Sequence, residues 1–306
     1  MPEACTGGRV QKSLLDTVTQ RMHSSTPSTL PVAPPSWRLP MLVKASIGCH
    51  LVAVGAVLAD ATLWPWALGA VLANHALLGT VGLWPRSTWL GSNLRRLPDA
   101  ASARGEIALT IDDGPDPVVT PAMLDLLDAH DARATFFCIA RQAEQHPQLC
   151  REIVARGHSV QNHSHRHSHT FSFSGPRAFA REIDQAQDAL AQITGQRPVF
   201  FRAPAGLRNP FLAHVLHDKG LQLVSWTRRG FDTVYADPAR VLARLTRDLA
   251  AGDIVLLHDA GSRTAPSGKP VALEVLPELL RCIEQAALRA VTLPHAMQPA
   301  RAEVPA

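Results

Sequence analysis

Five of the chain's 14 histidines lie between positions 158 and 169, four of them in the run Asn162-His163-Ser164-His165-Arg166-His167-Ser168-His169. Imidazole suits zinc and its neighbours among the divalent metals, and a carboxylate completes a mixed nitrogen and oxygen ligand set. His163 and His167 are four apart, and so are His165 and His169. Each pair shares one face of a helical turn, and spacing does not choose between the pairs. The plain alternative is a His-rich surface tract. Upstream, Thr110-Ile111-Asp112-Asp113-Gly114-Pro115 closes an apolar run with two adjacent carboxylates. Side chains alternate along a strand, so the two point different ways. One can hold a metal while the other stays near a metal-held water. A turn with solvated aspartates is the alternative, since Gly-Pro bends the chain sharply.

Three further groups have the same placement. Arg202 lies in Phe201-Arg202-Ala203-Pro204-Ala205-Gly206, where a guanidinium can fix a carboxylate by a bidentate pair. Asp232 follows Phe231, and His258 ends the run Leu256-Leu257-His258-Asp259. Taken singly, Arg202 reads as a surface residue and His258 as a structural histidine. Together the groups fall at the ends of five distinct apolar runs, which chance does not readily produce.

Those runs must be positioned by something. From Glu106 to Leu293 short apolar stretches alternate with amphipathic ones. Ile107–Ile111, Ala134–Ile139, Ser159–Asn162, Val199–Arg202, Leu221–Trp226 and Ile254–Leu257 read as strands. Pro121–His130 reads as a helix capped by Thr120, Pro147–Arg156 as one ended by Gly157, and Arg177–Thr194 as one ended by Gly195. Pro238–Ala251 has Asp237 as its N-cap and Gly252 at its end, and Val271–Ala290 is the last helix. The order predicts an α/β fold with a parallel sheet, a distorted (β/α) barrel of about seven strands, with polar groups gathered at the carboxyl ends of the strands.

The first hundred residues differ. Positions 1–40 are rich in Ser, Thr and Pro and read as a flexible arm. Residues 41–85 are almost free of formal charge, interrupted by Lys44 and Asp60, and rich in Ala, Gly, Leu and Val with no polar helix face. They predict an apolar helical hairpin, read as two transmembrane helices of a bacterial-type inner membrane, with Trp37, Trp64, Trp66, Trp84 and Trp89 at its margins. A buried hairpin of a soluble domain is the alternative. Arg9, Lys12, Arg21, Arg38 and Lys44 precede the hairpin, and Arg86, Arg95, Arg96 and Arg104 follow it. The positive-inside rule then places both ends in the cytoplasm. Residues 86–105 read as a linker, 106–295 as the catalytic domain and 296–306 as a tail.

Composition excludes some classes. The net charge of +4 comes from 30 basic residues scattered along the chain, which does not describe a nucleic-acid-binding face. The five cysteines contain no CxxC pair and read as structural thiols, as in a reducing compartment.

Thr110–Pro115, Asn162–His167, Arg202–Gly206, Phe231–Asp232 and Leu256–Asp259 together resemble the five ordered motifs of the polysaccharide deacetylases, carbohydrate esterase family four. The resemblance covers roughly 106–293 and does not reach the first hundred residues. It implies a divalent metal, usually zinc, held by Asp113, His163 and His167. It implies Asp112 as general base oriented by Arg202, and His258 as general acid tuned by Asp232. It also implies the Ala205 backbone at the oxyanion and Leu256 at the acetyl methyl group. The expected activity is hydrolysis of the acetyl amide of an N-acetylated sugar, polymeric, oligomeric or lipid-linked. Two positions depart from the family pattern: Ala205 stands where an aromatic residue is frequent, and Thr233 where Trp is common. Both weaken a platform for a long glycan. A deformylase or deacylase of a non-polymeric amide, and a metal-binding membrane protein without turnover, are the competing readings.

Overall fold

The computed structural model describes residues 37–299. All but the last four residues of the expected arm, and the end of the expected tail, lie outside the described residues. The description begins with a helical hairpin, α1 (Met41–Ala59) and α2 (Trp64–Gly82). The connecting turn is set by Asp60, whose carboxylate accepts from Thr62 N at 2.9 Å and Thr62 Oγ1 at 2.7 Å. Asn74 donates across the hairpin to Ser46 Oγ at 2.8 Å. Its apolar side chains stay largely uncovered: Leu58 is 83% exposed and Trp66 80%.

Among the described helices only α1 is long and apolar enough to cross a membrane, with a mean hydropathy of 1.9. α2 is as long, but Pro65, Asn74 and His75 together with its tryptophans lower its hydropathy. The expected hairpin is therefore formed, while the expected pair of membrane-crossing helices is reduced to one that qualifies.

The stretch expected as a linker is packed into the body of the fold. Leu90, Leu97 and Ala101 are buried. Leu94 bridges Val224 in parallel, with Leu94 N donating to Leu223 O at 2.8 Å and Ser225 N to Leu94 O at 2.9 Å. The short helix α3 (Asp99–Ala103) follows. The end of α2 is itself tied to the body, because Arg208 N donates to Gly82 O at 3.2 Å and the buried Arg208 guanidinium donates to Ser87 O.

Eight strands build one parallel sheet: β1 (Glu106–Asp112), β2 (Thr135–Cys138), β3 (Ser159–Asn162), β4 (Phe200–Phe201), β5 (Gln222–Leu223), β6 (Arg228–Arg229), β7 (Ile254–His258) and β8 (Arg289–Val291). Their order is β5-β4-β3-β2-β1-β7-β6, with β8 also pairing β1. The sheet is a curled half-barrel whose path ends at β5 and β6, rather than a barrel of seven strands. β6 consists of two arginines and β8 of three residues, too short and too polar to stand out as apolar runs.

Alternation along β1 and β7 divides the interior. Ile107, Leu109, Ile111, Val255 and Leu257 pack outward against Met123, Leu124 and Leu127 of α4 (Val119–Ala129) and Leu276 and Leu279 of α10 (Val271–Gln285), counting in chain order. Between α4 and α10 come α5 (Ala140–Gln145), α6 (Pro147–Ala155), α7 (Pro176–Thr194), α8 (Leu212–Asp218) and α9 (Pro238–Thr246). On the other face Ala108, Ile254 and Leu256 share a core with Phe137, Val224 and Trp226. Each such large apolar side chain contributes roughly 1.5–3 kcal/mol on burial. The same alternation brings Thr110, Asp112 and His258 to the inner face, and the β1–β7 register sets Asp112 opposite His258.

Three expected helix ends are corrected, the first being that of α10, which stops at Gln285 and not Ala290 because Arg289–Val291 pairs with β1. α4 begins at Val119, and Asp116 caps it by accepting from Val118 N and Val119 N at 2.8 Å each. Thr120 instead points inward and donates to Asp259 at 2.5 Å. α9 stops at Thr246, short of Ala251, while Asp237 caps its start as expected by accepting from Ala239 N at 2.9 Å. Gly195 closes α7 in the left-handed conformation.

Gly206 joins the packed 83–97 segment to the loop after β4. Its φ is +74°, and a Cβ there would lie 2.7 Å from both Pro85 Cβ and Trp226 Cη2. Gly206→Ala adds backbone strain to overpacking and is expected to destabilise the fold by about 2–4 kcal/mol. The check is the urea midpoint of the detergent-solubilised chain; an unchanged midpoint refutes the packing argument.

Candidate active site

Asp113 leaves the end of β1 with a φ of +80°, which turns its side chain away from that of Asp112. Its Oδ1 lies 3.2 Å from His163 Nε2 and 3.3 Å from His167 Nε2. One donor atom from each of the three residues lies within 4.8 Å of the others. A tetrahedral ion with bonds of about 2.0–2.1 Å spaces neighbouring ligand atoms by about 3.3 Å, so the two distances fit such a site. Asp113 Oδ1 is buried and accepts no hydrogen bond, as a ligand oxygen would be left without its ion.

The loop between β3 and α7 sets the imidazoles. His163 follows β3, and its Nδ1 faces the Arg202 carbonyl at 2.8 Å. That atom must donate, which leaves the Nε2 lone pair free for a ligand bond. His167 does not continue a helical turn from His163. Ser164 and His167 both have positive φ, at 64° and 53°, and Ser164 Oγ accepts from His167 N at 3.1 Å. A bend, not a helix face, brings the two rings to 4.8 Å between centroids. Asn162 anchors the bend: its side chain accepts from Ser164 N at 2.8 Å and donates to Gln187 Oε1 at 2.8 Å. The competing pair is dispersed, since His165 turns to Glu144 at 3.3 Å and His169 is exposed.

Electrostatics suit a cation. Burial opposes ionisation of Asp113, but the close approach of His163, with His258 and His167 beyond, holds its carboxyl well below the usual range. Burial, with the neighbouring His163, pushes His167 down to about 4, so the ring is neutral and ligand-competent at pH 7. For His163 burial is outweighed by Asp112 and Asp113, and its pKa is raised.

Arg202 crosses the inner face of the sheet from the end of β4 and is wholly buried. Its Nη1 donates to Asp112 Oδ1 at 2.6 Å and to Thr110 Oγ1 at 2.9 Å, and its Nη2 donates to Ser225 O at 3.1 Å. The guanidinium lies over the Phe137 ring at 4.1 Å. Asp112 Oδ2 remains on the metal side, 3.8 Å from His163 Nε2.

Opposite, His258 Nδ1 lies 2.9 Å from Asp232 Oδ1, and His258 N donates to Asp232 Oδ2 at 2.9 Å. Burial would lower the pKa of His258, but Asp232, Asp112 and Asp113 raise it. Leu256 precedes His258 by two on the same face and is buried. Ala205 is exposed at the mouth with a φ of +54°, and Thr233 follows Asp232 in a loop where it supplies no ring.

Two partners escaped the sequence. Thr110 lies two residues before Asp112 on the same strand face, a signal that period-two alternation carries. Asp259 is buried beside the site, bonded to Thr120, with burial and the like charge of Asp113 raising its pKa to about 7 against that bond. It closes the motif Leu256–Asp259, but its spacing alone gives it no role.

A family model described as polysaccharide deacetylase matches residues 99–224. A peptidoglycan-N-acetylglucosamine deacetylase of Bacillus cereus is 33% identical over 175 residues, covering 56% of this chain and 81% of that protein. A chitooligosaccharide deacetylase of Sinorhizobium fredii is 34% identical over 167 residues, covering 54% of this chain and 77% of that one. Among solved structures, a pseudoenzyme of carbohydrate esterase family four from Bacillus anthracis superposes with a TM-score of 0.60 at 20% identity, over 68% of this chain and 69% of its own. That last likeness is one of fold. The chain belongs to the polysaccharide deacetylase family, carbohydrate esterase family four, and is a hydrolase of the class that acts on N-acetyl amide bonds.

Proposed function

We propose that the protein is a membrane-attached, divalent-metal-dependent deacetylase of an N-acetylhexosamine unit. The observation that carries this reading is the convergence of Asp113, His163 and His167 between two separately braced groups, Asp112 on Arg202 and His258 on Asp232. The donor set of one carboxylate and two imidazoles favours zinc. Such an ion, when bound, supplies polarisation of the acetyl carbonyl and acidification of a water.

The remaining steps belong to the chain's own groups. Arg202 holds one oxygen of Asp112, so the other takes the proton of the attacking water. His258, whose pKa Asp232 raises against burial, gives a proton to the departing amine nitrogen. The Ala205 backbone N–H donates to the developing oxyanion, and Leu256 receives the acetyl methyl group. Acetate and a free amino sugar are the products. Storage of a metal without turnover requires neither the Arg202–Asp112 nor the Asp232–His258 pair.

The small residues Ala205 and Thr233 favour a short or lipid-linked sugar over a long glycan. The exposed apolar surface of α1 and α2 supports attachment to a bilayer. Arg86, Arg95, Arg96 and Arg104 beyond α2 support a cytoplasmic catalytic domain.

Asp113→Ala is expected to lose bound metal and to lower acetate release more than about 100-fold, the rate equivalent of a lost Lewis acid. Elemental analysis and an acetate assay with and without added zinc check this, and full activity in the variant defeats the reading. Asp232→Asn removes the charge that raises the pKa of His258. General acid catalysis needs the protonated ring, so the alkaline limb of the kcat/KM profile should move to lower pH. An unmoved limb rules out His258 as the acid.

A further inference from the structure

A cavity of about 580 Å³ opens beside the catalytic loops, where the chain emerges from α2. Five arginines line it: Arg86, Arg228, Arg229, Arg244 and Arg247. The rings of Trp84, Trp226 and Phe231 complete its walls, and no acidic side chain lines it. Arg228 is neutralised by Asp253 at 2.9 Å. The other four form no ion pair among the described residues. Arg86 donates only to Thr227 O at 3.3 Å. Arg244 lies over Phe231 at 4.8 Å. Arg229 lies between Trp226 and Phe231, at 5.1 and 4.7 Å, with its buried Nε lacking any acceptor. The carboxylates of Asp112, Asp232 and Asp113 offset part of the charge of Arg229, but Arg86, Arg244 and Arg247 gather with no acidic partner, and ring faces offset only part of that cost. A planar fork of donors matches the oxygens of a phosphate.

The cavity adjoins the chemistry. Phe231 is the neighbour of Asp232. Trp226 also lies 5.8 Å from the guanidinium of Arg202. Pro85 and Trp226 press against Gly206 in the loop that carries Ala205. Trp84, Pro85 and Arg86 follow directly on the apolar hairpin, so an anion held here lies at the hairpin's base.

We propose that this cavity binds a phosphate or diphosphate carried by the N-acetylated sugar itself, which makes the substrate a glycosyl phosphate and not a neutral glycan. The proposal rests on the deacetylase reading and names its substrate class. The phosphate group bridges sugar and lipid in one form of such a substrate and is free in the other.

The test uses the full chain in vesicles of neutral lipid with three substrates: polyprenyl-phosphate-linked N-acetylglucosamine, soluble N-acetylglucosamine 1-phosphate, and a neutral alkyl N-acetylglucosaminide. The wild type should favour at least one phosphate-bearing substrate over the neutral one by about tenfold or more in kcat/KM. Which of the two is favoured identifies the source. The exposed pair Arg244→Ala and Arg247→Ala, combined, should abolish that preference through KM and leave turnover of the neutral glycoside unchanged; Arg244→Lys with Arg247→Lys should restore part of it. Equal rates on phosphorylated and neutral sugars in the wild type overturn the proposal. So does a double variant that loses both alike, or one that keeps the preference and, in a parallel co-sedimentation assay, loses only its attachment to phosphatidylglycerol vesicles. Should the wild type release acetate from none of the three, the deacetylase reading fails by itself. Calorimetric titration with inorganic pyrophosphate then decides whether the arginines hold phosphate: binding abolished in the double variant supports the anion site, and no binding to the wild type removes it.

Discussion

A fully desolvated guanidinium governs the architecture of the site. Arg202 has no access to water, and a charge so placed is tolerated only if its donors find acceptors of good geometry. The acceptors come from Asp112 and Thr110 on β1 and from backbone carbonyls after β5, with the Phe137 ring of β2 beneath. Strands far apart in the hydrogen-bonded order are thereby linked across the concave face. The sheet must curl to allow it. Lys would not substitute, since a point charge cannot serve acceptors in several directions from one plane.

The same residue disciplines the metal side through its backbone. The carbonyl of Arg202 fixes the tautomer of His163, while its side chain aims Asp112. The His163 ring and the Asp112 carboxylate are therefore registered to one peptide unit, and the β3–β4 pairing of Asn162 with Phe201 holds that unit in place. A fold of this kind does not by itself carry catalysis; the chemistry rests on the side chains at the strand ends.

Much of this was legible in the letters because burial and alternation are local signals. Ile107–Ile111 reads as a strand, the structure buries Glu106–Asp112 along its whole length, and the polar residues terminating such runs marked the site. The choice of His163 with His167 over His165 with His169 was not legible. It is made by positive φ at Ser164 and by Glu144, a partner distant in sequence. The 86–105 stretch reads as a linker because its few buried residues, Leu90, Leu97 and Ala101, follow no repeating period. Their partners lie more than a hundred positions away. The near absence of charge over 41–85 suggests two crossing helices by eye, whereas Asn74 and His75 weigh heavily in the average hydropathy of α2.

The backbone bond between Arg208 and Gly82 fastens the loop beyond Arg202 to the foot of the apolar hairpin. With that fastening the mouth of the site has no long tether on which to roam. Whatever surface captures the hairpin also sets the height at which the mouth stands above it. On the proposed reading, in which a bilayer holds the hairpin, a sugar would be reached only within that fixed elevation.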